Sequence, residues 1–266
     1  MNNEIHDYSF DSNSEVKVNG KVYNPSKEKT TSSSMSFIGK VFFAMFVGLL
    51  ITSVVAVGTA YLVAFLLKAY DGTQTQNDIF MGLLVAAIVS GIGLLIMSFV
   101  LPIMFARGKH NILIPGIIYT VLMGVLLSVV VLFTEPEIIL LALGMTTLIF
   151  AIMALIGFLS KGRLTGLRIA IGGLFIGLLI LSVVNMLIWL FNPGLETMPF
   201  YWIISLGFFA LIMFITIWDM RQIKAISERG EANGNNLVLY CAFIIYTDFI
   251  SILIRLIYYL GLVNRK

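Results

Sequence analysis

Beyond residue 40 the chain is a series of long apolar runs broken by short polar separators. Seven runs fall near 41–67, 79–105, 112–133, 137–159, 167–191, 199–220 and 237–262. Each is close to or above the ~20 residues that cross a bilayer as a helix. The separators carry residues that end helices or stay in water: Asp71 and Gly72, Arg107 and Lys109, Glu135 and Pro136, Lys161 and Arg163, Asn192 and Pro193, then the stretch 230–236. This pattern predicts an all-α integral membrane domain of seven transmembrane helices over 36–266. The connection at Glu135, Pro136 and Glu137 keeps the third and fourth runs apart, and its shortness predicts an antiparallel hairpin. Residues 1–35 are rich in Asn, Ser, Lys, Glu and Thr without a helical apolar stripe, which predicts a disordered polar tail. The apolar region starts too late and runs too long for a cleaved signal peptide.

Composition names the solvent. Hydrophobic residues make up 59% of the 266 and charged residues 12%, with a mean hydropathy of +0.99. Soluble domains run near 45–50% and about 25%. The surplus apolar surface needs a lipid bilayer as its partner. Net charge is only +3, and no basic patch interleaves with exposed aromatics, so nucleic acid is not an expected partner. Lys40, Arg107, Lys109, Lys161, Arg163, Arg168, Arg221, Lys224 and Arg229 gather on alternate connections. The positive-inside bias therefore predicts a cytoplasmic N-terminus and an outside C-terminus, in the plasma (inner) membrane if the cell is bacterial. The lone Cys241 excludes an intramolecular disulfide and a cysteine-based metal site, and reads as a buried thiol. Without a His-Glu-x-x-His pattern, a Walker loop or a Gly-x-Gly-Asp context at an aspartate, no enzyme and no cofactor are expected.

Ionisable residues inside spans are costly, so each is a candidate for function. Asp219 falls near the end of the sixth run and Asp248 about three turns into the seventh, with Arg255 two turns further along the same face. The two aspartates flank the polar turn around Asn233 almost symmetrically. An antiparallel hairpin folded there places both at similar depth, ~20 Å from its tip, with the sixth helix continuing past Arg221 before turning. Two carboxylates held close in a low-dielectric site share a proton and titrate as a pair. Deprotonated, they offer hard oxygen ligands to Ca²⁺. The plainer alternatives are Asp219 paired with Arg221 or Lys224, and Asp248 with Arg255. His110, beside Arg107 and Lys109, is a secondary candidate for tuning near neutral pH, or a solvated interfacial residue. Pro102 and Pro115 predict kinks in the second and third spans. Gly173-xxx-Gly177 invites close packing in the fifth, where Asn185 reads as an interhelical hydrogen-bonding group.

Two segments carry a resemblance. Ile217-Trp218-Asp219-Met220-Arg221-Gln222-Ile223-Lys224 resembles the aromatic-Asp-x-x-Gln-Ile pattern of the sixth helix in the Bax inhibitor family of transmembrane proteins. Tyr246-Thr247-Asp248-Phe249-Ile250-Ser251, running on to Gly261, resembles the Tyr-x-Asp-Phe-Ile-Asn start of that family's last helix. The resemblance implies a C-terminal helix held centrally between two three-helix layers. From bacterial members it implies a pH-sensitive calcium leak, with Asp219 and Asp248 as sensor and gate and Arg107 as the latch. The stretch 83–93 lacks the acidic residue common in the family's second helix. Arg255 precedes the family's arginine position, occupied here by Tyr258, by nearly a turn.

These readings lead to a passive, pH-gated cation pathway, with calcium as the ion. The alternatives are a regulatory scaffold that binds other membrane proteins without transport, and a proton-coupled transporter.

Overall fold

The computed structural model describes residues 16–18, 21–23, 25–70, 72, 74–107, 112–160, 165–191, 198–228 and 235–263. Seven helices follow a short strand pair: β1 (Val16–Val18), β2 (Lys21–Tyr23), α1 (Pro25–Ala69), α2 (Gln74–Ala106), α3 (Leu113–Phe133), α4 (Pro136–Leu159), α5 (Thr165–Phe191), α6 (Met198–Glu228) and α7 (Asn235–Val263). All seven helices are long and apolar enough to span a membrane. Helices are the element such sequences must form, because in hydrocarbon every backbone N–H and C=O needs a partner within its own segment.

The N-terminal segment and Pro115 differ from the sequence reading. The strands pair antiparallel with Val16 opposite Tyr23, and α1 begins at Pro25, inside the segment whose composition predicts a disordered tail. Extending an existing helix costs far less than nucleating one, so a polar stretch joined to a stable span can continue it. Proline suits that first position, since its missing N–H would have no helical partner there. For the same reason Pro115 does not kink α3. It lies in the helix's first turn, where the Gly116 N–H still reaches the Ile112 carbonyl at 3.0 Å. Pro102, by contrast, is inside α2.

The helices sort into two groups of three. Within one, α3 packs on α1 and α2; within the other, α6 packs on α4 and α5. The last helix lies between them, touching α1, α2, α3, α4 and α6. Half of its most apolar window is buried, against 6% for α5, so α7 is the central helix and α5 the most peripheral. The α3–α4 connection is tight, with Pro136 opening α4 directly after Glu135. The two helices nevertheless do not pack along each other as the expected hairpin, because α3 belongs to one layer and α4 to the other.

Two glycines set how closely the layers close. A Cβ on Gly124 would stand 2.6 Å from the Val55 Cβ and 2.9 Å from the Thr52 carbonyl oxygen, so α3 meets the α1 backbone there. A Cβ on Gly157 would stand 2.7 Å from the Met220 Cβ and 2.8 Å from the Ile217 carbonyl oxygen, so α4 meets α6 there. Gly173 and Gly177, expected to mediate close packing, meet no heavy atom within 4 Å of such a Cβ.

Candidate functional site

The site is built where α6 crosses α7. Thr216 and Asp219 are three residues apart, so they share a face of α6, and both address α7. Thr216 is fully buried, donates its hydroxyl proton to the Ile212 carbonyl at 2.9 Å, and lies beside the Asp248 side chain. Asp219 is partly buried and lies near enough to Tyr240, Cys241 and Asp248 for their charges to interact. Asp219 therefore faces the stretch of α7 between Cys241 and Asp248, two turns that lie along one side of the helix.

The depths refine the hairpin expectation. Asp219 lies nine residues before the end of α6 at Glu228, about 14 Å at 1.5 Å per residue, and Asp248 thirteen residues after the start of α7 at Asn235, about 20 Å. The carboxylates are thus about one helical turn apart in depth, and Thr216 is the residue directly across from Asp248. Helix α6 does continue past Arg221 before the chain turns back.

Asp248 is 8% exposed, and its Oδ2 is buried without a hydrogen-bond partner. Its neighbours along α7, Ile245, Tyr246, Phe249, Ile250 and Ile252, are all buried, and the Phe249 ring meets Phe150 of α4 edge-on at 5.5 Å. A carboxyl oxygen left unpartnered in such packing is uncommon. Among the described residues no cation is ion-paired with either aspartate. Lys224 instead donates to the Phe158 carbonyl at 2.6 Å, capping the end of α4, and reaches Glu228 at 3.6 Å. Arg255 donates to the Ser205 carbonyl at 3.1 Å and lies 5.5 Å from the centre of the Phe208 ring. Both of its contacts are on α6, not with Asp248.

Arg107 stands exposed in the turn after α2. Two residues earlier, Phe105 stacks on Tyr240 with centroids 4.2 Å apart and ring planes within 3°. That contact ties the end of α2 to the part of α7 that Asp219 faces. His110 lies outside the described residues. Cys241 is a free, buried thiol. Asn185 of α5 keeps a buried Oδ1 without a hydrogen-bond partner.

Sequence reasoning missed a second polar contact beside the site. The Thr52 and Tyr246 hydroxyls meet at 2.6 Å. Thr52 also lies within donating distance of the Thr120 carbonyl at 3.1 Å and the Gly48 carbonyl at 3.0 Å. If the tyrosine O–H donates, Thr52 is free to donate onward, and the chain of bonds joins α7 to α1 and α3. The signal available was Tyr246 itself, two residues before Asp248 in the resembling segment.

Chemically, the arrangement offers two carboxylates and a threonine hydroxyl along one helix crossing. Among the described residues no three His, Cys, Asp or Glu side chains gather into a metal cage. The aspartates could supply only part of the six to eight oxygens Ca²⁺ prefers.

No curated protein matches the chain as a relative. A family model described as "Inhibitor of apoptosis-promoting Bax1" matches residues 34–265, nearly the whole helical region. With seven membrane-spanning helices, a central last helix and both motif segments at one helix crossing, the chain belongs to the Bax inhibitor family of multi-pass membrane proteins.

Proposed function

We propose that the bundle is a passive, pH-gated cation pathway that carries Ca²⁺, with Asp219 and Asp248 as its sensor. The observation that carries this reading is the buried, unpartnered Oδ2 of Asp248, one turn from a second carboxylate on the neighbouring helix. Ionisable groups at such positions in membrane bundles mark ion and proton paths. In this mechanism protonation of the pair removes the charge repulsion and lets α6 and α7 lie together. Loss of that proton leaves two negative charges that repel, separate the helices and present oxygens to the ion. Arg107 acts as latch from the end of α2, steered toward Asp219 by the Phe105–Tyr240 stack. The distribution of Lys and Arg supports an orientation with the N-terminus and the α6–α7 connection in the cytoplasm, in the plasma membrane if the cell is bacterial. Calcium flux into vesicles holding the purified protein, followed across pH, tests the reading.

A second reading is a regulatory scaffold for other membrane proteins. It is favoured by α5, which among the described residues packs chiefly on α6 and leaves Gly173 and Gly177 open. Purified protein that passes no Ca²⁺ at any pH, yet holds a membrane partner at fixed stoichiometry, would select this reading.

A further inference from the structure

Away from the carboxylates, a crevice of about 820 Å³ runs between α1 and α4. Both helices pack on α7, which forms the floor with Phe249, Ile250 and Leu253. Phe46 and Leu50 of α1 and Leu143 of α4 line the crevice and are also exposed on the lipid-facing surface, so it opens sideways into the bilayer. The walls are aliphatic and aromatic apart from Ser53 and two threonines, and the threonine hydroxyls are already bonded within the protein. Thr52 meets Tyr246 at 2.6 Å, and Thr147 donates to the Leu143 carbonyl at 2.8 Å. Water gains little in such a space.

We propose that this crevice is a binding site for one acyl chain of a bilayer phospholipid. Its α1 wall runs from Phe42 to Val57, fifteen residues or about 22 Å of helix. That exceeds the ~15 Å depth of one leaflet's hydrocarbon, so a single extended chain can lie along it. At about 30 Å³ for a methylene-sized unit, comparable to the volume of a water molecule, the crevice holds roughly 25 such units. Because the slot opens along its length to the hydrocarbon of the bilayer, the group at hand to fill it is a lipid tail. The tail would rest on α7 beside Asp248 and replace the packing contacts that an empty crevice lacks. The proposal concerns binding and stands or falls independently of Ca²⁺ passage.

The test reconstitutes the full chain in phosphatidylcholine–phosphatidylglycerol vesicles containing a phospholipid with a diazirine in its acyl chain. After illumination, labelled residues are mapped by mass spectrometry. The expected result is label on Phe249 and Leu253 of the crevice floor and none on Met220 of α6, which is fully buried and does not line the crevice. Ala151→Trp, which fills the crevice from α4, should cut the floor labelling at least fivefold. Leu50→Trp gives the same reading from α1 should the first variant fail to fold. Two results would each overturn the site: a floor no more labelled than Met220, or labelling unchanged by a folded tryptophan variant.

Discussion

Phe105 at the end of α2 lies flat on Tyr240 of α7, ring centres 4.2 Å apart, and Tyr240 in turn neighbours Asp219. The stack is the closest structural link between the proposed latch and the proposed sensor. Replacing Arg107 with Gln should therefore raise Ca²⁺ flux at acidic pH severalfold, and Phe105→Ala should do the same by releasing the segment that carries the arginine. Flux at acidic pH that stays at the wild-type level in both variants would remove Arg107 from the mechanism.

Packing at Gly157 gives a prediction about stability. An added Cβ meets the Met220 Cβ and the Ile217 carbonyl below 3 Å, and neither can swing aside as a flexible chain end would. Gly157→Ala should cost about 1–3 kcal/mol, the usual range for overpacking, and lower the thermal midpoint in detergent by several degrees. Gly173→Ala, where a Cβ meets open space, should leave the midpoint unchanged or slightly raised.

The Thr52–Tyr246 bond is testable by a double-mutant cycle. Tyr246→Phe and Thr52→Val should each destabilise the bundle, with a coupling of about 0.5–1.5 kcal/mol between them. Purely additive losses would show that the 2.6 Å contact contributes nothing of its own.

Arg255 serves to hold α6 against α7 through Ser205 and Phe208. Arg255→Met should lower the thermal midpoint, by an amount on the order of 1–2 kcal/mol for the lost charge-assisted bond and ring contact. It should leave the shape of the flux–pH curve as in the wild type. A shifted curve would make Arg255 part of the sensor.

Seven spans were legible from hydropathy, because each run must satisfy its backbone within the membrane and the interruptions are short and polar. The end of α6 at Glu228 was legible only through the symmetry of Asp219 and Asp248 about the polar turn, since charged residues such as Arg221 and Lys224 carry no apolar period. The start of α1 at Pro25 was not legible, because helix extension into water leaves no hydropathic trace. Within the site, Asp219 and Asp248 stood out as charges in apolar runs. Thr216 and Thr52 did not, because a threonine in a membrane helix most often bonds back to its own carbonyl ladder, as both of them and Thr146 and Thr147 do. Thr52 and Tyr246 are 194 residues apart, and nothing local announces such a pairing. The Arg255–Ser205 contact was hidden for a related reason: its acceptor is a backbone carbonyl, which every residue possesses.

The central claim is that the Asp219–Asp248 pair converts pH into ion passage. Protonation closes the pair, so flux should fall as pH falls through its titration and rise as pH rises. The direct measurement is Ca²⁺ entry into vesicles at a series of pH values for the wild type, Asp248→Asn and Asp219→Asn, each confirmed folded by its thermal midpoint. The account predicts a wild-type flux that rises with pH and a response flattened in both variants, since an asparagine has no carboxyl proton to lose. A pH response that survives intact in both folded variants would contradict it.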